Sequence, residues 1–115
     1  MQNHEARPVL LPVMIILCLL AAVSACTGTP EGNPDRGQRW YHLYRCNGCH
    51  GEDGTGGRGP DLAPTSLSFS KFLNKLRSPD SSVMPAYGSD RVSHQDAADI
   101  YLWLIRRQET DGTQN

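Results

Sequence analysis

The run Cys46-Asn47-Gly48-Cys49-His50 decides how this chain is read. Two thiols three positions apart, with a histidine directly after the second, have the spacing of a covalent c-type haem attachment site. The thiols lie close enough to add across the two vinyl groups of one porphyrin. The imidazole that follows is then held beneath the ring, where one of its nitrogens reaches the iron. A disulfide, or half of a zinc site, would use the same residue types. A zinc site needs two more ligands at matching spacing, and no second Cys pair follows. A thioredoxin-like pair belongs in a strand–helix context, which is missing here.

Downstream of His50 the chain reads Gly51-Glu52-Asp53-Gly54-Thr55-Gly56-Gly57-Arg58-Gly59-Pro60. Gly54 to Gly59 spells G-x-G-x-x-G, and Asp80 follows at about the spacing of a dinucleotide fingerprint. That fingerprint must leave a strand and open a helix, whereas this one leaves the Cys-His run and enters Pro60. The chain is also too short for a two-halved nucleotide-binding sheet. The segment reads instead as a loop passing close to the haem, with Gly permitting tight turns. Upstream, Gly37, Tyr41 and Tyr44 fall at helical spacing beside Trp40 and Leu43, which predicts a short helix leading into Cys46. Gly37 weakens such a helix unless a close neighbour needs its missing side chain, as a crossing helix would.

Beyond the loop, Phe69, Phe72, Leu73 and Leu76 recur at i, i+3, i+4 and i+7. They predict an amphipathic helix capped by Ser68 and stopped by Pro79. Lys71, Lys75 and Arg77 fall on its polar side and read as a solvated face. Residues 78–90 form a loop containing Met84-Pro85. Ser93 and Asp96 have capping-box spacing, with Val92 placed as a hydrophobic staple. Ala97, Ile100, Trp103 and Leu104 then give the apolar face of a last helix, and Arg106 and Arg107 suit its C-terminal end. No strand pattern and no internal repeat interrupts this series, so the expected fold is all-α around one haem.

The chain has 115 residues, enough for one small domain with a thin core that needs a staple. Its four cysteines are Cys18, Cys26, Cys46 and Cys49. The first two lie in an N-terminal stretch that reads as a targeting segment. Arg7 precedes an apolar run from Val9 to Val23, broken only by Pro12 and shorter than a membrane span requires. It ends in Val23-Ser24-Ala25-Cys26, which resembles a bacterial lipobox. On that reading residues 1–25 are a signal peptide and Cys26 becomes a lipidated N-terminus. Ordinary cleavage after Ala25 and an uncleaved anchor are the alternatives. Residues 26–34 have linker composition, with a reach of roughly 30 Å. The globular head is expected over 35–109, and 110–115 as a frayed tail. Signal removal takes Glu5 and Arg7 together, so the net charge stays at −1. No basic face is then available for strong steering, and nucleic-acid binding has no support.

Over 35–108 the chain resembles the class I monohaem cytochromes c. Gly37 with Tyr41 looks like the family's Gly–aromatic pair of the first helix, although one extra residue separates Tyr41 from Cys46. Gly59-Pro60-Asp61-Leu62 matches its Gly-Pro-x-Leu segment, and Met84-Pro85 matches its distal Met. Trp103-Leu104 fits the closing aromatic–Leu pair, with Tyr101-Leu102 as the alternative register. The resemblance implies that Cys46 and Cys49 hold one haem c and that His50 and Met84 are its axial ligands. It further implies that the Pro60 carbonyl accepts a hydrogen bond from His50 and that Leu62 packs on the ring. With both axial positions filled, no site is open to substrate, so the expected role is a one-electron carrier between redox protein donor and acceptor. That carrier would be a monomer or a subunit of a larger dehydrogenase or oxidase complex, anchored through Cys26 in the bacterial cell envelope and facing the periplasm or the cell exterior. A peroxidase-like enzyme would need an open iron position and would have only His42 and His94 for acid–base work; both read as surface residues. A haem redox or gas sensor with a displaceable Met84 is the third reading.

Overall fold

The computed structural model describes residues 12–16 and 28–111, with side chains up to Arg107. Most of the leader, Cys18, Cys26 and residues 112–115 lie outside the described residues. From residue 28 onward the chain is helical, with no strand among the described residues. Four helices follow in order: α1 (Pro34–Leu43), α2 (Asn47–His50), α3 (Phe69–Arg77) and α4 (His94–Asp111). The fold is the expected small all-α one.

α1 starts at Pro34 because Asn33 caps it. The Asn33 side chain accepts from the backbone N–H groups of Asp35 (2.9 Å) and Arg36 (3.2 Å), and Pro34 needs no acceptor at N1. The helix ends in a Schellman turn. The Arg45 N–H donates to the His42 carbonyl and the Cys46 N–H to the Tyr41 carbonyl, both at 3.0 Å. Arg45 takes the left-handed conformation this turn requires (φ 63°), a place usually given to Gly. This turn delivers Cys46 directly to the start of α2.

α1 crosses α4 at Gly37. A Cβ there would stand 2.0 Å from the Asp99 carbonyl oxygen and 2.5 Å from its carbon, so the two backbones touch. The predicted crossing partner of Gly37 is therefore the last helix. Tyr41 is wholly buried at the same junction, its ring centroid 4.8 Å from that of Trp103, with Leu104 fully buried beside them. This selects the Trp103-Leu104 register. Tyr101 faces α3 instead, packing on Phe69 and Phe72 (both 5.4 Å) and donating its hydroxyl to the Leu67 carbonyl.

Several local readings need amendment. Ser68 occupies the N-cap of α3 but its hydroxyl makes no cap bond; its oxygen pairs with Ser70. Ser93 does cap α4, accepting from the Asp96 N–H at 3.0 Å, while the Asp96 carboxylate turns away to accept from the Tyr44 hydroxyl at 2.8 Å. Arg106 and Arg107 do not close the helix, which runs on to Asp111; they pair with Asp35 and Asp53. The end of the stretch read as linker is docked. The Glu31 carbonyl accepts from Gln95, and the Asn33 N–H donates to Asp99.

That last contact belongs to a cluster with no counterpart in the sequence reading. Asp99 is 1% exposed. Its Oδ1 accepts from the Asn33 N–H (2.7 Å) and from Gln95 (3.2 Å), and its Oδ2 accepts from Arg36 Nε (2.9 Å). Burial pushes the carboxyl pKa up, but the bonds from Arg36, Asn33 and Gln95 outweigh it and hold the group below its ordinary value. A depressed folded pKa stabilises the fold above the unfolded carboxylate value, near 3.9, and the gain fades as pH falls through the folded value. Asp99→Asn should cost about 2 kcal/mol at pH 7, the worth of a lost charge-assisted bond. The gap to wild type should narrow below about pH 4. Thermal unfolding followed against pH checks this: an equal gap at pH 3 and pH 7 would show that the charge contributes nothing.

Candidate haem-binding site

The short helix α2 carries Cys49 and His50 away from the Schellman turn, and Cys46 stands at its N-cap. The two cysteines are free thiols, each half-buried. Burial pushes the Cys46 thiol up to about 11, so it stays protonated at neutral pH. The Cys49 Sγ lies 3.7 Å from an Arg58 nitrogen across the glycine loop.

That loop folds back under α2. The Gly59 N–H donates to the Cys49 carbonyl at 2.7 Å, which sets the next residue beneath the histidine. A side chain at Gly59 would begin 3.2 Å from ring atoms of His50, tighter than an ordinary packing contact. His50 is buried, and its Nδ1 donates to the Pro60 carbonyl at 2.8 Å. The loop is tied down at its far side as well. The Leu62 and Ala63 N–H groups both donate to the Gly54 carbonyl (2.7 and 3.1 Å), and the buried Tyr41 hydroxyl donates to the Gly51 carbonyl at 2.7 Å. Tyr41 thus joins the α1–α4 junction to the loop, a role its helical spacing did not reveal.

Fixing Nδ1 as the donor leaves Nε2 as the ring nitrogen with a lone pair. The Nδ1–Pro60 bond is the one hydrogen bond of the His50 side chain among the described residues. Two free thiols at the attachment spacing and an imidazole with one nitrogen already engaged are the donor set that a covalent haem needs. The residues present fit the group.

Met84 lies on the loop between α3 and α4, half-buried against the core, with Pro85 exposed after it. Leu62 is likewise half-buried against the core. His42 is half-exposed beside Glu52 (3.4 Å), and His94 is exposed with its ring edge-on to Phe69 (5.2 Å).

Tyr87, three residues past Met84, escaped the sequence reading because nothing periodic surrounds it. It is nevertheless buried. Burial raises its phenol pKa. Its hydroxyl reaches the Tyr44 carbonyl at 3.4 Å, so the segment after Met84 returns to the turn that leads into Cys46.

A family model described as cytochrome c oxidase, cbb3-type, subunit III, matches residues 32–104. The helical fold, the Cys46–His50 motif and this match together define a c-type cytochrome. The chain belongs to the family that the model describes. Its domain implies covalently bound haem c and haem-based electron transfer. No curated protein and no solved structure matches the chain.

Proposed function

We propose that the protein is a one-electron carrier whose single haem is attached through Cys46 and Cys49 and ligated by His50 and Met84. Haem supplies a one-electron couple, and the chain's own residues do the rest. The observation that carries the reading is the Nδ1–Pro60 bond, which fixes the imidazole tautomer, raises its basicity and leaves Nε2 with the lone pair a metal needs. Leu62, half-buried, adds an apolar wall. Met84 is the only thioether left once residues 1–25 are removed, because the chain's other methionines are Met1 and Met14. A soft sulfur ligand favours the ferrous state and sets the potential above that of a bis-His haem.

The experiment is the near-infrared sulfur-to-iron charge-transfer band of the oxidised protein. Wild type should have it. Met84→Ala should lose it, bind CO and drop in potential, while Met84→His should stay six-coordinate at a lower potential. A wild-type protein without the band would transfer the distal role to His42 or His94.

A second form of this reading is an electron-transfer subunit of a larger oxidase or dehydrogenase complex, which the description of the matching family favours. Co-purification from gently solubilised membranes separates a free carrier from a subunit. We place the protein in the bacterial cell envelope, lipid-anchored at Cys26 and facing the periplasm or the cell exterior. Among the described residues no helix is long and apolar enough to cross a membrane. Cys26→Ala should release the protein or alter its processing while haem attachment persists. Wild-type protein recovered wholly soluble, with an unmodified N-terminus, would refute the anchor.

A further inference from the structure

Past the exposed Lys75–Asp80 pair at its start, the Met84 segment is tied at one point. Between Asp80 and Tyr87, the only hydrogen bond among the described residues is a local one from the Val83 N–H to Ser81. Val83 itself is 79% exposed. Tyr87, in contrast, is held from every side. Its N–H donates to the Leu76 carbonyl at 2.8 Å, and its carbonyl accepts from Arg77 Nη1 at 2.6 Å. Both partners lie in the last turn of α3. Its hydroxyl reaches the Tyr44 carbonyl at the end of α1 (3.4 Å), two residues before Cys46, and the Arg91 guanidinium lies 5.1 Å over its ring. Arg77 is therefore not a member of a solvated face. It is half-buried and spends its charge on one backbone carbonyl.

We propose that Arg77 and Tyr87 form a clamp that holds the Met84 loop closed over the iron, making both of them positioning residues for the distal ligand. This rests on the reading of Met84 as that ligand. The physics is a competition. A thioether binds iron weakly, and a loop tethered only at α3 would spend part of its time open, because ordering its residues costs entropy. The clamp lowers the open fraction. An external ligand binds only the open form, so its apparent affinity scales with that fraction.

The probe is imidazole, titrated into the oxidised holoprotein and followed through loss of the near-infrared band. Arg77→Met keeps the stem and removes the donors. It should keep the band at rest but bind imidazole roughly 10-fold more tightly, the factor a charge-assisted bond to a carbonyl is worth. Arg77→Lys, which keeps one donor, should fall between Arg77→Met and wild type. Tyr87→Phe removes only the long bond to Tyr44 and should change the affinity by less than about 3-fold. Lys75→Met, which breaks the exposed pair between α3 and Asp80 at the start of the loop, should leave the affinity at the wild-type value, because an exposed ion pair contributes little.

Unchanged imidazole affinity in Arg77→Met overturns the clamp. So does an equal rise in Lys75→Met, which would mean that general loosening of α3 is responsible. If Arg77→Met fails to fold, Arg77→Lys carries the test, and a wild-type affinity there overturns the proposal. Failure of the Met84 reading looks different, because wild type would then lack the band before any imidazole is added.

Discussion

Changing Cys46 and Cys49 together to Ala is expected to leave a chain that has lost most of its helical circular dichroism. α1 has 10 residues and α3 has 9. Isolated helices shorter than about 12–15 residues are marginal in water, so neither stands without packing. Only α4, at 18 residues, exceeds that length. The protein core that remains is a layer of aromatics and small aliphatics at the α1–α4 and α3–α4 contacts. A domain of this size buries too little surface to offset the entropy of ordering its chain. A porphyrin adds a large apolar surface, and two covalent bonds shorten the loops that must close. The variant should therefore show no cooperative thermal transition, with residual helix no greater than a nascent α4 would give. Near-native ellipticity with a sharp transition would mean that the polypeptide core organises itself and the haem is a guest.

Gly37→Ala should lower stability by at least about 2 kcal/mol, or roughly 8–16 °C in Tm for a domain of this size. Two effects oppose each other. Alanine is favoured over glycine inside a helix by up to about 1 kcal/mol. Against this stands a Cβ 2.0 Å from the Asp99 carbonyl oxygen and 2.9 Å from the Ile100 nitrogen. Both are backbone atoms of α4, so no side chain can swing aside, and overpacking of this kind costs about 1–3 kcal/mol or more. The helices must separate, and the wholly buried Tyr41 and Leu104 lose their fit. The clash wins. The haem, attached by bonds that do not involve α4, should still be present, so the Soret absorbance separates a packing defect from an attachment defect. An unchanged Tm would show that α1 and α4 have room between them.

The attachment motif, the apolar faces of α3 and α4, and the Gly37–Tyr41 pair were legible because each follows a local rule of spacing. What stayed hidden depends on partners far along the chain. Asp99 reads as one more polar residue on a helix until α1 brings Arg36 and the Asn33 N–H to it from more than 60 positions away. Tyr87 and Arg77 acquire their roles only when the loop returns to the end of α3. Ser68 fails in the other direction: the residue type suits a cap, but its hydroxyl faces Ser70. The choice between Trp103-Leu104 and Tyr101-Leu102 also needed the fold, since both pairs lie on one helix and only the crossing at Gly37 decides which meets Tyr41.

The seating of His50 bears on speed as well as on binding. Its ring is held at one edge by the Pro60 carbonyl and has Gly59 drawn up against it, on a backbone segment bonded to Cys49. With His50 as the proposed iron ligand, an imidazole gripped in this way would keep the same orientation in both oxidation states. Little nuclear rearrangement would then accompany the arrival or departure of an electron on this side of the haem. The environment is set before the charge moves, which is how a protein lowers the reorganisation barrier to a transfer.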